Sequence, residues 1–169
     1  MLLGTIFQKS LKLRTALSFQ LFDAEQQQRP VLRKLLKTAE KTQIGEHFHF
    51  DDILKSPDIL KAYSGSLPIY DYNSIYKAWW HKQLDSVPNV TWPGVTRYFA
   101  LSSGTSEASS KYIPVTEDMI KAMRKASFKQ IYTLAHYNLP PNLFEKGMLM
   151  VGGSTHLNFN GSYFSGIIS

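Results

Sequence analysis

Residues 97–114 constrain the fold most strongly, because two apolar runs flank a loop of small, hydroxyl-rich residues. The first run, from Tyr98 to Leu101, predicts a strand, and the second begins just after a lone lysine, Lys111. Side chains this small let backbone N–H groups approach a ligand closely, and a lysine adds the point charge that favours a phosphate. An ordinary flexible turn would use the same residue types. The stretch therefore predicts strand, loop and strand, with either a phosphate site or a plain turn in the loop.

The spacing of this loop excludes the common nucleotide and nucleophile motifs. A Walker A loop needs a second glycine directly before its lysine and a hydroxyl residue after it. Here Gly104 has no second glycine before Lys111, and Tyr112 follows the lysine. The patterns G-x-G-x-x-G and G-x-S-x-G are also absent, and no Ser–His–Asp arrangement stands out. No catalytic residue is predicted.

Composition narrows the class of protein. With 43% hydrophobic and 19% charged residues, the 169-residue chain resembles an ordinary soluble globular protein without cysteine, which fits a reducing compartment. A net charge of +6 favours anionic ligands, but the basic residues form no run of five, so we predict no nucleic-acid partner. No apolar stretch reaches the length of a membrane span and the first residues make a poor signal peptide. We expect no membrane partner and a cytoplasmic location.

Helices are predicted for the first part of the chain. Apolar residues spaced three and four apart predict an amphipathic helix over residues 2–21, whose basic residues also permit a membrane-surface role. Asp23 and Gln26 resemble a capping box for a second helix. Pro30 conflicts with this start, because an interior proline removes a helical hydrogen bond. Either the helix begins near Pro30, or a short turn precedes it. Gly45 is expected to end that helix as its C′ residue.

Two further patterns could form sites. His47 and His49 would share one face of a strand and could ligate zinc with a carboxylate, but no third ligand stands at a recognisable spacing, so no metal site is predicted. Asp71 is expected to N-cap a helix that carries Trp79 and Trp80. These tryptophans could stack on a base, although core packing is the commoner use at this spacing.

The last part of the chain mixes helix and strand. A long helix is expected after Thr116, and its predicted buried side consists of Met119, Ile120, Met123, Ile131 and Leu134. Residues 148–151 read as a strand covered on both faces, and the dipeptide Asn160-Gly161 predicts a two-residue hairpin. Helices followed by strand, loop, strand, helix and strand predict a mixed α and β (α/β) fold.

The central loop and its flanks also resemble a known family. The loop is similar to the phosphate-binding signature of the adenylate-forming superfamily, and most closely to that of the auxin-responsive promoter (Gretchen Hagen) family of acyl-acid amido synthetases, in its bacterial branch. That family's loop reads Ser-Ser-Gly-Thr-Thr/Ser, one residue, Gly, two residues, Lys. Four flanking segments agree with the family pattern: Thr42-x-x-Gly45, Leu67-Pro68-Ile69-Tyr70-Asp71-Tyr72, Trp79-Trp80 and Ile113-Pro114-Val115-Thr116.

The resemblance implies a fold, a reaction and a site. Residues 1–169 would form an incomplete N-terminal portion of the large adenylation domain of an acyl-CoA synthetase/luciferase-like enzyme, with its C-terminal domain absent. ATP with Mg²⁺ would activate a carboxylic acid as an acyl-adenylate, and an amino acid amine would then displace AMP. The implied ATP phosphate-binding residues are Ser102, Ser103, Gly104, Thr105, Ser106 and Lys111, and no metal ligand is assigned.

Two departures from the family pattern matter. Ala108 stands where the family has glycine, which could restrict the loop if that position needs a positive φ. Family members run to several hundred residues, so the adenine and ribose contacts and the magnesium-binding acid are expected elsewhere. The chain alone is therefore expected to be inactive and, through an exposed sheet edge, prone to self-association. The alternative is a truncated, non-catalytic protein that binds a nucleotide or a partner.

Overall fold

The computed structural model describes residues 2–17, 24–102, 111–137, 139–147 and 156–167. The chain divides into two compact units. Unit 1 comprises Met1–Leu21 and Glu117–Gly152, and unit 2 comprises Phe22–Thr116 and Gly153–Ser169. Within the described ranges, no helix has the length and apolar character needed to cross a membrane.

The elements follow the predicted order, in which helices come first and are followed by two strands, a long helix and further strands. The helices are α1 (Leu2–Leu17), α2 (Ala24–Ala39), α3 (Gln43–His47), α4 (Phe50–Lys55), α5 (Ile59–Ser66), α6 (Tyr72–Ile75), a π-helical turn (Tyr76–Trp80), α7 (His81–Leu84) and α8 (Glu117–Thr133). The 3₁₀ turns are Leu134–His136 and Pro141–Glu145. The strands are β1 (Tyr98–Ser102), β2 (Lys111–Val115), β3 (Asn158–Phe159) and β4 (Phe164–Ile167). The predicted mixed α and β fold is confirmed.

The four strands of unit 2 form one sheet in the order β2-β1-β4-β3. Strand β1 lies inside the sheet, antiparallel to β2 and parallel to β4. Its residues Phe99 and Ala100 are only 2% and 3% exposed. Burial on this scale stabilises the fold by about 1.5–3 kcal/mol for a side chain the size of phenylalanine. The strand that precedes the central loop is thus part of the rigid core.

The hairpin predicted near the end of the chain joins β3 to β4, but its loop differs by one residue. Phe159 pairs with Phe164, and the Asn160 N–H donates to the Tyr163 carbonyl at 2.9 Å. Gly161 and the serine after it therefore form the loop, and Gly161 has a φ of +81°. A two-residue hairpin needs a positive φ at its first loop position, which glycine supplies without strain.

Helix α2 begins at Ala24, the position after Asp23 of the predicted capping box, and not near Pro30. It runs from Ala24 to Ala39, and Pro30 lies inside it rather than at its start, so that prediction is wrong. Proline removes one helical hydrogen bond and leaves the carbonyl four residues earlier without its donor. That carbonyl belongs to Gln26, which is exposed, so water can bond to it. The Asp23 position of the predicted capping box lies outside the described residues, as does the predicted strand at 148–151.

The expected helix stop at Gly45 is also wrong, because this glycine lies buried inside α3. The Thr42 hydroxyl accepts from the Gly45 N–H at 3.2 Å and donates to the Ala39 carbonyl at 2.6 Å. A Cβ added at Gly45 would lie 2.1 Å from the same Ala39 oxygen. The Thr-x-x-Gly pattern therefore joins the end of α2 to the start of α3 through a close backbone approach.

Helix α1 in unit 1 packs along the second 3₁₀ turn and the residues before it. Leu11 is 2% exposed, and the Gln8 amide donates to the Leu139 carbonyl at 2.8 Å. Packing against the protein is thus observed for part of its surface, while Ile6 and Leu13 remain 56% and 66% exposed. The membrane-surface role stays an untested alternative, and the expectation of no membrane partner stays a prediction.

Helix α8 of unit 1 begins directly after Thr116, as predicted. The expected burial of Met119 and Met123 is wrong among the described residues, since they are 39% and 50% exposed. The other residues predicted for this side, Ile120 and Ile131 in the helix and Leu134 in the 3₁₀ turn after it, are half-buried. The periodic pattern therefore identified the helix, but it placed two exposed methionines on the buried side.

Candidate functional site

The central loop is closed by a pair of residues at the ends of β1 and β2. Ser102 and Lys111 are partners in the antiparallel ladder. Partners in such a ladder lie about 4.5–5.5 Å apart at Cα and project to the same face of the sheet. The structure thus brings the first and last predicted phosphate-binding residues together. The other four, Ser103, Gly104, Thr105 and Ser106, and the departure at Ala108, lie outside the described residues.

Lys111 rests on the ring of Tyr72. The Lys111 Nζ lies 5.1 Å from the centroid of the Tyr72 ring, a cation–π geometry. Lys111 is exposed, whereas Tyr72 is half-buried at the first position of α6. This contact joins two segments that resemble the family separately, the Asp-Tyr pair before α6 and the lysine after the loop.

The hydroxyl of Tyr72 makes a second contact with the same strand. It accepts a hydrogen bond of 2.9 Å from the backbone N–H of Tyr112. One side chain therefore contacts both the charged group of Lys111 and the peptide unit that follows it. Such a two-point contact restricts where the lysine can lie relative to the end of the loop.

Tyr72 is itself fixed by the start of α6. Asp71 N-caps this helix by accepting from the Ser74 N–H at 2.7 Å and from the Ser74 hydroxyl at 2.5 Å, as predicted for Asp71. Two hydrogen bonds from Ser74 lower the pKa of Asp71, and the bond from the hydroxyl has a larger effect than the bond from the N–H. The positive charge of Lys111 lowers this pKa further by a smaller amount. The carboxylate is thus committed to the cap.

An aromatic face continues from Tyr72 along this helix. Its ring stacks on Tyr76 at 5.7 Å between centroids and meets the edge of Trp80 at 6.0 Å. The π-helical turn between Tyr76 and Trp80 has i→i+5 hydrogen bonds and takes more residues per turn than an α-helix. This wider turn keeps Trp80 on the same side as Tyr72, eight positions earlier.

Trp79 and Trp80 have different surroundings. Trp79 is 7% exposed, and its indole N–H donates to the Tyr70 hydroxyl at 3.3 Å. The rings of His47 and Phe48 also contact it. The core interpretation is confirmed for Trp79, while Trp80 is half-buried.

The outer edge of β2 offers few donors for another strand. The Tyr112 N–H is bonded to Tyr72, so it faces away from β1. Backbone groups of alternate residues face the same side, so position 114 faces outward as well, and it is a proline without an N–H. Within Lys111–Val115, no N–H is therefore free on this edge. Self-association stays a prediction, and this edge does not favour it.

The histidine pair does not lie on a strand, so that interpretation is wrong. His47 ends α3, and His49 lies in the turn before α4. Nitrogen and carboxylate oxygens of His49, Asp51 and Asp52 lie within 4.8 Å of one another. Lys55 already bonds both carboxylates, at 3.0 and 3.1 Å, and lowers the pKa of Asp51. The two carboxylates are thus already engaged by one lysine, in a group whose His49 and Asp52 are exposed and whose Asp51 is half-buried.

Sequence reasoning missed the role of Tyr72. It named this residue only within the segment before α6, because a contact between α6 and β2 depends on the tertiary fold. The available signal was the shared family resemblance of the two segments, which suggested that both serve one site.

A family model described as the GH3 family N-terminal domain matches residues 15–162. The chain therefore belongs to the GH3 family, and the resemblance of its loop and flanks is confirmed. Searches of curated proteins and of solved structures found no match. The bacterial branch, the single-domain assignment and the cytoplasmic location stay predictions.

Proposed function

We propose that this domain supplies the triphosphate-binding wall of an ATP-dependent acyl-acid amido synthetase. The observation that supports the proposal is the pairing of Ser102, the last residue of β1, with Lys111, the first residue of β2. The segment between them is rich in small residues and belongs to a GH3 family domain. A hydroxyl donor and an ammonium group on one face of a sheet suit a polyphosphate. The net charge of +6 favours approach of such an anion.

The proposed reaction has two steps. In the first, a carboxylate oxygen bonds to the α-phosphorus of ATP and the α–β bridging P–O bond breaks, which releases pyrophosphate. In the second, the nitrogen of an amino acid amine bonds to the acyl carbon, the acyl–AMP bond breaks, and the amine loses a proton. The carboxylate is already a nucleophile, so the first step needs no general base, and we assign none.

The task of the loop is electrostatic. Lys111 and the loop donors hold the β- and γ-phosphates and stabilise the charge of the departing pyrophosphate. Fixed donors of this kind contribute more than water does, because they need no reorganisation during the reaction. Asp71, the acidic residue beside Lys111, is bonded to Ser74. We therefore place Mg²⁺ on the nucleotide phosphates and assign it no ligand among the described residues.

Isotope exchange between ATP and pyrophosphate tests the proposed class of reaction. The full-length protein is assayed with a panel of carboxylic acids, each with and without a panel of amino acids. We expect exchange that depends on the carboxylic acid alone, whereas net AMP release requires an amino acid as well. Exchange that starts only when the amino acid is added would contradict an acyl-adenylate intermediate.

A further inference from the structure

We propose that Tyr72 is a positioning residue for Lys111 and thereby sets the affinity of the loop for the triphosphate of ATP. The inference rests on the proposed function, because it takes Lys111 as the phosphate-binding cation. It adds a residue outside the loop, on a different element of the fold. Tyr72 acts through the lysine and is not itself a phosphate ligand.

The first observation is the contact between the charge and the ring. The Lys111 Nζ lies 5.1 Å from the Tyr72 centroid, within the range in which a ring face attracts a cation. Lysine has a long, flexible stem, so an exposed lysine samples many rotamers and loses that freedom when it binds a ligand. A ring that already holds the ammonium beside the start of β2 reduces this loss.

The second observation is the hydrogen bond between the Tyr72 hydroxyl and the Tyr112 N–H, at 2.9 Å. This N–H follows Lys111 directly and faces away from β1. Without a partner on that side, the first residues of an edge strand would be held by β1 alone. The hydroxyl therefore fixes the backbone from which the lysine projects, independently of the ring contact.

The third observation is that Tyr72 cannot easily move. It follows the Asp71 cap, and its ring is packed against Tyr76 and Trp80. A support that is itself fixed is what a positioning role requires. The ring can therefore define the resting place of the lysine.

The test compares four variants of the full-length protein: Tyr72→Phe, Tyr72→Leu, Lys111→Ala and the double variant Tyr72→Leu/Lys111→Ala. Pyrophosphate exchange gives kcat and KM for ATP and for the carboxylic acid. Calorimetry gives the affinity for magnesium tripolyphosphate, a probe that needs no turnover. Tyr137→Leu is the matched control, because Tyr137 is a 63% exposed tyrosine of unit 1.

We expect Tyr72→Leu to raise KM for ATP by roughly three- to fivefold, as loss of one cation–π contact predicts, with no change in KM for the carboxylic acid. Tyr72→Phe keeps the ring and loses the hydroxyl bond, so it is expected to lie between wild type and Tyr72→Leu. The tripolyphosphate dissociation constants should follow the same order. A merely structural role would instead lower kcat through the folded fraction and leave every KM unchanged.

The double variant decides whether Tyr72 acts through the lysine. If it does, the double variant binds tripolyphosphate as Lys111→Ala does, because the two losses are not additive. Additive losses of tripolyphosphate affinity in the double variant would overturn this inference and leave the proposed function intact. So would a wild-type KM for ATP in Tyr72→Leu, if Lys111→Ala is strongly impaired. If Lys111→Ala binds and exchanges like wild type, the proposed function of the loop fails, and the inference fails with it.

Discussion

Ser102 and Lys111 lie directly opposite each other in the ladder between β1 and β2. The loop between them thus connects two antiparallel strands, whereas a Walker A loop leads from a strand into a helix. A phosphate site of this kind cannot use the dipole of a following helix. Backbone N–H groups of the loop and the side chain of Lys111 would have to supply the positive potential, so we expect the position of Lys111 to matter more than in a helix-capped loop.

We predict that Thr42→Ala destabilises the fold by about 2 kcal/mol, because it removes the N-cap of α3 and leaves the buried Gly45 N–H without its acceptor. Thr42→Ser keeps the hydroxyl and is the matched control. Urea unfolding followed by circular dichroism measures both. Equal midpoints for the two variants would show that the Thr42 hydroxyl does not stabilise the junction.

Gly45→Ala is expected to cost about 3 kcal/mol or more, since its Cβ would lie 2.1 Å from the Ala39 carbonyl oxygen and the backbone would have to move. Gly65→Ala is the control, because this glycine lies in α5 and an added Cβ there would meet no atom of the described residues within 4 Å. It should stabilise the protein by about 0.5–1 kcal/mol. Thermal unfolding of the pair should therefore give shifts of opposite sign.

The cap at Asp71 predicts a pH dependence of stability. The hydrogen bonds from Ser74 hold the pKa of Asp71 below its ordinary value of 3.8, so the folded state favours the carboxylate. Its contribution is complete above that ordinary value and is lost as the pH falls through the lower, folded pKa. Asp71→Asn retains a good N-cap but cannot titrate.

Unfolding in urea at about pH 6 and about pH 2.5 measures this contribution. We expect wild type to exceed Asp71→Asn in stability by more at the higher pH than at the lower. An NMR titration of the Asp71 carboxyl carbon should also show a higher pKa in Ser74→Ala. A carboxyl that titrates identically in wild type and Ser74→Ala would refute the assigned cause.

The outer edge of β2 predicts resistance to strand pairing. Pro114→Val restores an outward-facing N–H at position 114. Tyr72→Phe removes the hydroxyl that accepts from the Tyr112 N–H and so frees a second outward-facing donor. The double variant should therefore associate at a lower concentration than wild type, measured by sedimentation velocity. Pro114→Val alone should have an intermediate effect. If all three proteins sediment identically, the edge is protected in another way.

Local patterns in the sequence predicted much of the fold because their causes are local. The cap at Asp71 and the two strands on either side of residues 103–110 follow from nearby residues and are confirmed. The hairpin after β3 is also confirmed, but its loop moved by one residue, because cross-strand register and not the Asn-Gly dipeptide set the turn.

The errors arise where tertiary contacts decide. Gly45 suggests a helix stop, but glycine is required there because its backbone lies too close to the Ala39 carbonyl at the end of α2 for a Cβ to fit. Pro30 suggests a helix start, but it lies inside α2, where the carbonyl that loses its donor belongs to the exposed residue Gln26. The site shows the same limit: the loop could be recognised from its residues, whereas the contact of Tyr72 with Lys111 required the fold.

The affinity of the full-length protein for MgATP in the Lys111→Ala variant tests the central claim most directly. Calorimetry compares it with wild type and with Lys61→Ala, which removes the same charge from an exposed position in α5. Loss of a charge-assisted phosphate contact predicts a dissociation constant raised by about tenfold or more in Lys111→Ala and unchanged in Lys61→Ala. Equal dissociation constants for the two variants would contradict the assignment of Lys111 to the triphosphate.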